Sequence, residues 1–269
     1  MAKSIKIGKF KINAFVDFTP DPFNPTDFFP DVPIEDWDKH KSQHPLNENG
    51  KFQTNFGFFS IQSNNCHVLV DTGIGGAPGR LPHELKARGI STSEITTVVN
   101  THLHGDHVGW NLTNGVPTFP NARYVISEVD WQYWTNKNVL DKSPHIKAQA
   151  IPLKQQNLVD LSNDGYKVSD GLHILSTPGH TPGHQSLLVE SDGEKAIVTG
   201  DVIHSLAQIT EPDWCAGFDM DKPAAIATRR KIIEQAITEN LTLAAGHLLI
   251  GTNLGEVVEI KGKRYWKAL

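Results

Sequence analysis

Three histidines and an aspartate crowd into the six residues His102-Leu103-His104-Gly105-Asp106-His107. Imidazole nitrogens suit zinc and its first-row neighbours, and a carboxylate can ligate one ion or bridge two. The spacing sorts these side chains. If the chain is extended at 102–104, His102 and His104 project to the same side and can grip one ion. Asp106 and His107 follow the Gly105 turn and can face a second. Packing gives no reason to gather titratable groups in this way, because burying them unpaired is costly. Three further residues of the same chemistry follow apolar runs. His180 lies in the Pro/Gly loop from Thr177 to His184, Asp201 follows Val198-Thr199-Gly200, and His247 follows Ala244-Ala245-Gly246. A set of five histidines and two aspartates without a cysteine argues against a closed structural zinc site, which leaves metal staples as the weaker, non-enzymatic reading.

Such residues need a rigid sheet behind them, and the pattern predicts strands that end where they stand. Expected strands cover Cys66 to Val70, Thr96 to Asn100, His173 to Ser176, Ala196 to Thr199 and Leu241 to Ala245. Others cover Asn55 to Gln62, Arg123 to Ile126, Tyr166 to Val168 and Ser186 to Glu190, with a hairpin turn at Asp192-Gly193. Ile5, Ile7, Phe10, Ile12 and Phe15 mark strands at the start. Helices are expected from Leu81 to Arg88, after a capping box at Ser91-Thr92-Ser93-Glu94, and after Ser127 with Trp131, Tyr133 and Trp134. Another, capped by Asp221 with Pro223 in its first turn, would bury Ile226, Ile233 and Ile237. From about 19 to 51, six prolines forbid regular structure, yet Phe23, Phe28, Phe29 and Trp37 are scattered among them. This reads as an ordered loop packed on the body, either pinned by its aromatics or walling the active site. No linker divides the chain, so residues 1–269 are expected to form a single domain.

Composition removes several function classes. The chain is 38% hydrophobic and 20% charged with a formal charge of −5, and it has no Lys/Arg-rich run, so no nucleic acid is expected as partner. No stretch approaches a membrane span, and Met1 to Phe18 lacks the apolar core of a signal peptide. Two cysteines, Cys66 and Cys215, make no disulfide framework and read as buried, inert thiols, so a cytoplasmic location is expected.

Taken in order, Asp71-Thr72-Gly73, the His102–His107 cluster, Pro178-Gly179-His180-Thr181-Pro182-Gly183-His184, Gly200-Asp201 and Gly246-His247 resemble the successive motifs of the metallo-β-lactamase-fold hydrolases. The resemblance implies an α+β fold, the αββα sandwich of two mixed sheets flanked by helices, with a dinuclear site at one edge. It implies that His102, His104 and His180 bind the first metal, that Asp106, His107 and His247 bind the second, and that Asp201 bridges them. Asp71 would orient a ligand histidine or serve as a turn residue, and His184 would be structural. His67, His83, His145 and His173 carry no motif. His40 and His44 lie in the N-terminal loop, on a solvated face or within reach of substrate. The cofactors expected are two divalent ions, zinc first, with manganese, iron or cobalt as alternatives. A bridging water would be acidified toward a pKa of about 7 and attack a carbonyl or phosphoryl centre, with Asp106 able to hold its proton.

What the chain lacks separates branches of the superfamily. Asp201 stands where the secreted β-lactamases carry cysteine. His104 stands where flavin-linked di-iron members depart from the pattern. A glyoxalase II-like thioesterase would append a helical region, and only 22 residues follow His247. Gly200 to His204, then Gln208, Pro212, Asp213 and Trp214, resemble the lactonase, arylesterase and methyl-parathion-hydrolase-like branch. Acyl-homoserine-lactone hydrolases carry a tyrosine at the position of His204, which here could donate a hydrogen bond to the carbonyl or leaving oxygen, or lie outside the pocket. The expected activity is hydrolysis of a small apolar lactone or aryl ester, with phosphotriesters as side substrates. The alternatives are the thioesterase and a mononuclear iron persulfide dioxygenase. Relatives with this kind of N-terminal segment are often dimers, so a homodimer is compatible with the resemblance.

Overall fold

The structure is a computed structural model that describes residues 4–40 and 46–269, so the expectation for His44 falls outside the described residues. The chain opens with antiparallel strands β1 (Ser4–Ile7), β2 (Phe10–Phe18), β3 (Phe56–Gln62) and β4 (His67–Val70). β5 (Thr97–Val99) joins β4 in parallel. Beyond a small ribbon of β6 (Leu112–Thr113) and β7 (Val116–Pro117), β8 (Arg123–Ser127) and β9 (Val159–Ser162) extend the parallel part. A second sheet follows in chain order: β10 (Lys167–Ser169), β11 (Leu172–Ser176), β12 (Gln185–Ser191), β13 (Glu194–Val198), β14 (Thr242–Ala244), β15 (Leu254–Ile260) and β16 (Lys263–Ala268). Its pairs are antiparallel except β13–β14, where the helix Lys222–Thr238 makes the crossover.

Alternation along the strands builds the layers. Val68, Val70, Val99 and Val125 face inward against Ile174, Leu187, Val198 and Ala244, filling the space between the sheets. Their neighbours Leu69, Val98, Tyr124 and Ile126 face outward, under Leu85, Trp134, Ile146 and Leu153 from the helices of the first sheet. Ile197, Leu243 and Val257 face outward from the second sheet, under Ile232, Ile233 and Ala236. Strands buried on both faces read as continuous apolar runs, which is why they were visible in the sequence. The result is the αββα sandwich.

Several local expectations change. The Ser91 capping box is present but closes only a 3₁₀ turn, Thr92–Glu94, because Ile95 already leads into β5. In the helix Lys222–Thr238 the buried stripe is Ala225, Arg229, Ile232, Ile233 and Ala236; Ile226 and Ile237 lie half-buried beside it. After His247, β15 and β16 complete the second sheet, beyond the strands expected from the sequence. Cys215 is buried but Cys66 is only half-buried. The proline-rich segment is not irregular throughout. Pro25 opens the turn Pro25–Phe28, where a missing N–H costs nothing, and Ile34–Trp37 and Asp38–His40 follow. Phe28, Phe29, Val32 and Trp37 pack with Phe52 and Ala216 in a cluster of their own.

Candidate metal centre

Every residue of the expected ligand set lies at the same edge of the two sheets. Thr101 and His102 continue from β5, and His104 caps the short helix Gly105–Val108 that carries Asp106 and His107. His180 stands in the loop after β11, Asp201 in the 3₁₀ turn Gly200–Val202 after β13, and His247 just beyond β14. The side chains form two groups. His104 Nδ1 lies 2.9 Å from His102 Nε2 and 3.0 Å from His180 Nε2. Asp106, His107 and His247 converge in the second group. Asp201 stands between them, with Oδ1 3.2 Å from His107 Nε2, and Oδ2 3.2 Å from His180 Nε2 and 3.1 Å from His247 Nε2.

The outer partners of the imidazoles decide what the inner nitrogens can be. His247 Nδ1 donates to the Asn55 carbonyl (2.8 Å), which can only accept. His180 Nδ1 donates to Asp219 (2.9 Å), and His107 Nδ1 to Asp71 (2.8 Å). Thr101 spends its hydroxyl proton on Asp71 (2.8 Å), so its oxygen accepts from His102 Nδ1 (3.0 Å). In their neutral forms His102, His107, His180 and His247 therefore turn bare Nε2 lone pairs inward, onto one another and onto a carboxylate. His107 Nε2 and Asp201 Oδ1 are buried and make no hydrogen bond among the described residues. Acceptors facing acceptors in a buried place call for a cation. Ligand nitrogens around tetrahedral zinc stand roughly 3.3 Å apart, close to the spacings here. The donor set fits one or two divalent metal ions.

The titration behaviour has the same origin. Burial keeps His102 well below the ordinary histidine value and pushes His104 down to about 3, so both are neutral. Burial opposes charge on Asp201, but the imidazoles around it, His107 foremost, hold its carboxyl well below the usual range. Burial also opposes charge on His107, yet Asp201, Asp106 and Asp71 raise it well above its ordinary value. The negative field that would keep a proton on His107 would equally hold a metal.

Further side chains brace the candidate ligands. Asp71, at φ 62°, accepts from Thr101 N (2.7 Å) as well as His107, so it both makes the turn and orients a histidine. Asp219 is held at about 2 despite its burial, chiefly by the His180 hydrogen bond. Arg229, fully buried, donates to Asp219 (3.2 Å) and to the carbonyls of Val202 (2.7 Å), Pro212 (2.7 Å) and Trp214 (2.9 Å). One guanidinium thus ties the partner of His180 to the backbone beside Asp201. Asp130, whose pKa burial raises, accepts from Leu103 N (3.2 Å) and Gly183 N (2.7 Å), joining the loop of His102–His107 to the loop of His180. His247 is cradled between sheets, where Thr54 Oγ1 donates to its carbonyl (2.7 Å). There Gly57 and Gly246 pass so closely that a Cβ on Gly57 would meet Gly246 O at 2.5 Å, and one on Gly246 would meet Gly57 O at 2.7 Å.

Above the metal centre lies a cavity of about 860 Å³ whose walls include Phe23, Phe28, Phe56, Ile74 and Phe218. Phe23 and Phe28 reach it, whereas Phe29 stays in its own buried cluster. His204 lines it too, fully buried, with Nε2 3.2 Å from Asp201 Oδ2 and its ring edge against Phe28. His184 is structural: its Nε2 accepts from Asp201 N (3.0 Å). His40 is buried against Trp214 rather than solvated, and it does not line the cavity. Of the histidines without a motif, His83 is exposed, His173 half-buried and His67 buried, but His145 lines the cavity. The signal that could have found it is Pro144, which opens the helix Pro144–Gln149.

Two packed sheets with a histidine and aspartate cluster at one edge define an αββα sandwich with a candidate metal centre. Residues 50–247 match the family model of the metallo-beta-lactamase superfamily, and the chain belongs to that superfamily. N-acyl homoserine lactonase AttM of Rhizobium radiobacter is 30% identical over 169 residues, covering 61% of this chain and 62% of that protein. N-acyl homoserine lactonase AiiA of Bacillus thuringiensis subsp. kurstaki is 25% identical over 169 residues, 62% of each chain. The match therefore spans about three fifths of the length of these relatives. The hydrolase AbOPH superimposes with a TM-score of 0.88 at 27% identity, covering 100% of this chain and 97% of that one. AidC, a dizinc quorum-quenching lactonase, shares the fold with a TM-score of 0.85 at 24% identity and the same coverage. No helix among the described residues is long and apolar enough to cross a membrane.

Proposed function

We propose that this chain is a dinuclear-metal hydrolase that opens a lactone or an aryl ester with apolar substituents, with phosphotriesters as side substrates. The observation that carries the reading is the meeting of two ligand groups at Asp201 beneath a cavity walled by phenylalanines. His102, His104 and His180 would hold one ion and Asp106, His107 and His247 the other, with Asp201 between them. Two divalent ions, zinc foremost, would supply Lewis acidity to a substrate oxygen and acidify water. Asp71, Asp219, Thr101 and Asn55 keep the imidazoles turned inward, so the geometry is set before substrate arrives. The phenylalanine walls exclude water and take up the apolar part of the substrate. His204, at the cavity floor, donates a hydrogen bond to the carbonyl or leaving oxygen, and Asp106 takes up a proton. AttM and AiiA, both acyl-homoserine lactonases, support the lactone arm; AbOPH supports the hydrolase class. A core shared between the sheets favours taking residues 1–269 as one domain.

The test is metal analysis together with turnover of dihydrocoumarin, acyl-homoserine lactones, paraoxon and nitrocefin by the metal-reconstituted protein. About two ions per chain and lactone or ester turnover well above that of nitrocefin are expected. Strong nitrocefin turnover without lactone or ester turnover would overturn the substrate class. A single iron per chain with oxidation of glutathione persulfide would overturn the hydrolase.

A further inference from the structure

Asp17 is a fully buried carboxylate outside both ligand groups. It lies near the end of β2, where Val16 pairs with Gly57 and Phe18 with Phe56, so Asp17 is the extra residue of a β-bulge. Bulges interrupt a ladder and re-aim a side chain, often beside a functional site. Here the carboxylate is turned onto the segment that follows β4. Oδ2 accepts from Ile74 N (2.7 Å), and Oδ1 accepts from Arg80 N (2.7 Å), Leu81 N (2.6 Å) and Trp110 Nε1 (3.0 Å). All four partners are N–H donors, which ask for a group that only accepts. Gly73 stands where a Cβ would run into this carboxylate.

What Asp17 holds is a piece of the cavity wall. Ile74, Gly75 and Gly76 line the cavity, whereas Asp17 does not. Residues 73–80 form neither helix nor strand. Between 74 and 79 the backbone makes one hydrogen bond with itself among the described residues, Gly79 N to Gly76 O (3.2 Å). A segment with so few bonds of its own opens easily unless it is tied from outside. Asp17 ties it at both ends, at Ile74 and at Arg80 with Leu81. Through Trp110 it also joins the segment to the chain leaving the helix Gly105–Val108, which carries Asp106 and His107. A bond from Gly109 N to Gly73 O (2.7 Å) completes that join.

We propose that Asp17 is a positioning residue for the hydrolytic site. By pinning both ends of the segment it sets the place of the wall formed by Ile74, Gly75 and Gly76, and thereby the grip on the apolar part of the substrate. The inference rests on the hydrolase reading above and adds a residue that governs substrate binding from outside the cavity and the ligand set.

The experiment uses the metal-loaded protein with dihydrocoumarin as substrate. An amide has one acceptor oxygen, so in Asp17→Asn that oxygen serves the three donors at Oδ1 and the NH2 group is turned on Ile74 N, donor against donor. KM should rise about tenfold while kcat and metal content per chain stay as in wild type, the pattern of lost binding rather than lost chemistry. Hydrogen exchange read by mass spectrometry should quicken about tenfold over 73–80 and stay unchanged over β13 and β14. Trp110→Phe, which deletes one donor and keeps the carboxylate, should raise KM about threefold. An unchanged KM in Asp17→Asn overturns the inference whatever the exchange shows, because Asp17 would then support the fold alone. Loss of metal in that variant also overturns it, since the effect would then lie at the ligands. If Asp17→Asn does not fold, Trp110→Phe decides: a raised KM with full metal supports the inference, and an unchanged KM overturns it. If wild type opens neither dihydrocoumarin nor any other ester or lactone, the hydrolase reading fails, and calorimetric binding of 3,4-dihydro-2-quinolinone, the lactam of the same shape, decides separately. Weaker binding by Asp17→Asn supports the role in substrate grip; equal binding, or none by either protein, overturns it.

Discussion

The floor and the wall of the cavity are built on opposite principles. On the floor each candidate ligand imidazole except that of His104 has its outer nitrogen tied to a named partner: Asn55, Thr101, Asp71 or Asp219. Those partners are themselves held, Asp219 by a buried arginine and Asp71 by the Thr101 backbone. The wall is made of aromatic contacts instead. Phe28 packs against Phe23, Phe52, Phe218 and His204 with ring centroids 5.0–5.7 Å apart. Hydrogen bonds are directional and fix atoms in place, whereas ring contacts tolerate exchange for other apolar shapes. The floor thus specifies a reaction and the wall a range of substrates, and substitutions in the two regions should separate in the kinetics.

The sharpest break is at the residue shared by the two ligand groups. Asp201→Ala should cost on the order of a thousandfold in kcat and lower the metal content per chain, read by turnover and elemental analysis. Retention of both full activity and full metal would remove Asp201 from the centre. Next comes the brace behind the floor. Arg229→Met leaves Asp219 buried beside His180 without its cation, so about 3–5 kcal/mol of stability should be lost in chemical denaturation. Metal affinity, measured by chelator competition, should weaken roughly 10–100-fold. A stability loss with unaltered affinity would make the arginine a packing residue alone. On the wall, Phe28→Ala should raise KM for apolar lactones about tenfold while metal content stays as in wild type. Loss of metal in that variant would erase the distinction between floor and wall. The smallest effect is expected far from both. Burial depresses the His67 pKa, with Glu94 opposing, so the folded state prefers the neutral ring. Stability should therefore decline as pH falls through the unfolded-state value of about 6.5, and His67→Gln should flatten that decline in urea titrations.

The floor was far more legible in the sequence than its supports. Ligand chemistry needs uncommon residue types at strand ends, and His102 to His107, His180, Asp201 and His247 announce themselves by type and setting. Asp130, Asp219 and Arg229 are ordinary residues until the fold brings them against Leu103, His180 and Val202. Arg229 was hidden for a further reason, since a charged residue on the buried stripe of a helix contradicts the pattern by which buried stripes are read. The sandwich was legible where strands are buried on both faces. It was not at β15 and β16, whose Lys, Arg and Glu residues belong to an exposed edge. His145 was marked only by the proline that opens its helix, and its placement depends on a carbonyl forty-two residues earlier in the chain.

The close passage of Gly57 and Gly246 limits how this site can change over generations. An alanine at either position would push a methyl into the opposing carbonyl, and the usual remedy, shrinking the partner, is already exhausted because the partner is glycine. No first step at either position is therefore mild, and no second step rescues it. The residue beside that seam is His247, whose backbone is fixed from the facing sheet by Thr54 and Asn55. Lineages can remodel the phenylalanines above the candidate metal centre one at a time, but this corner of the centre must be inherited whole.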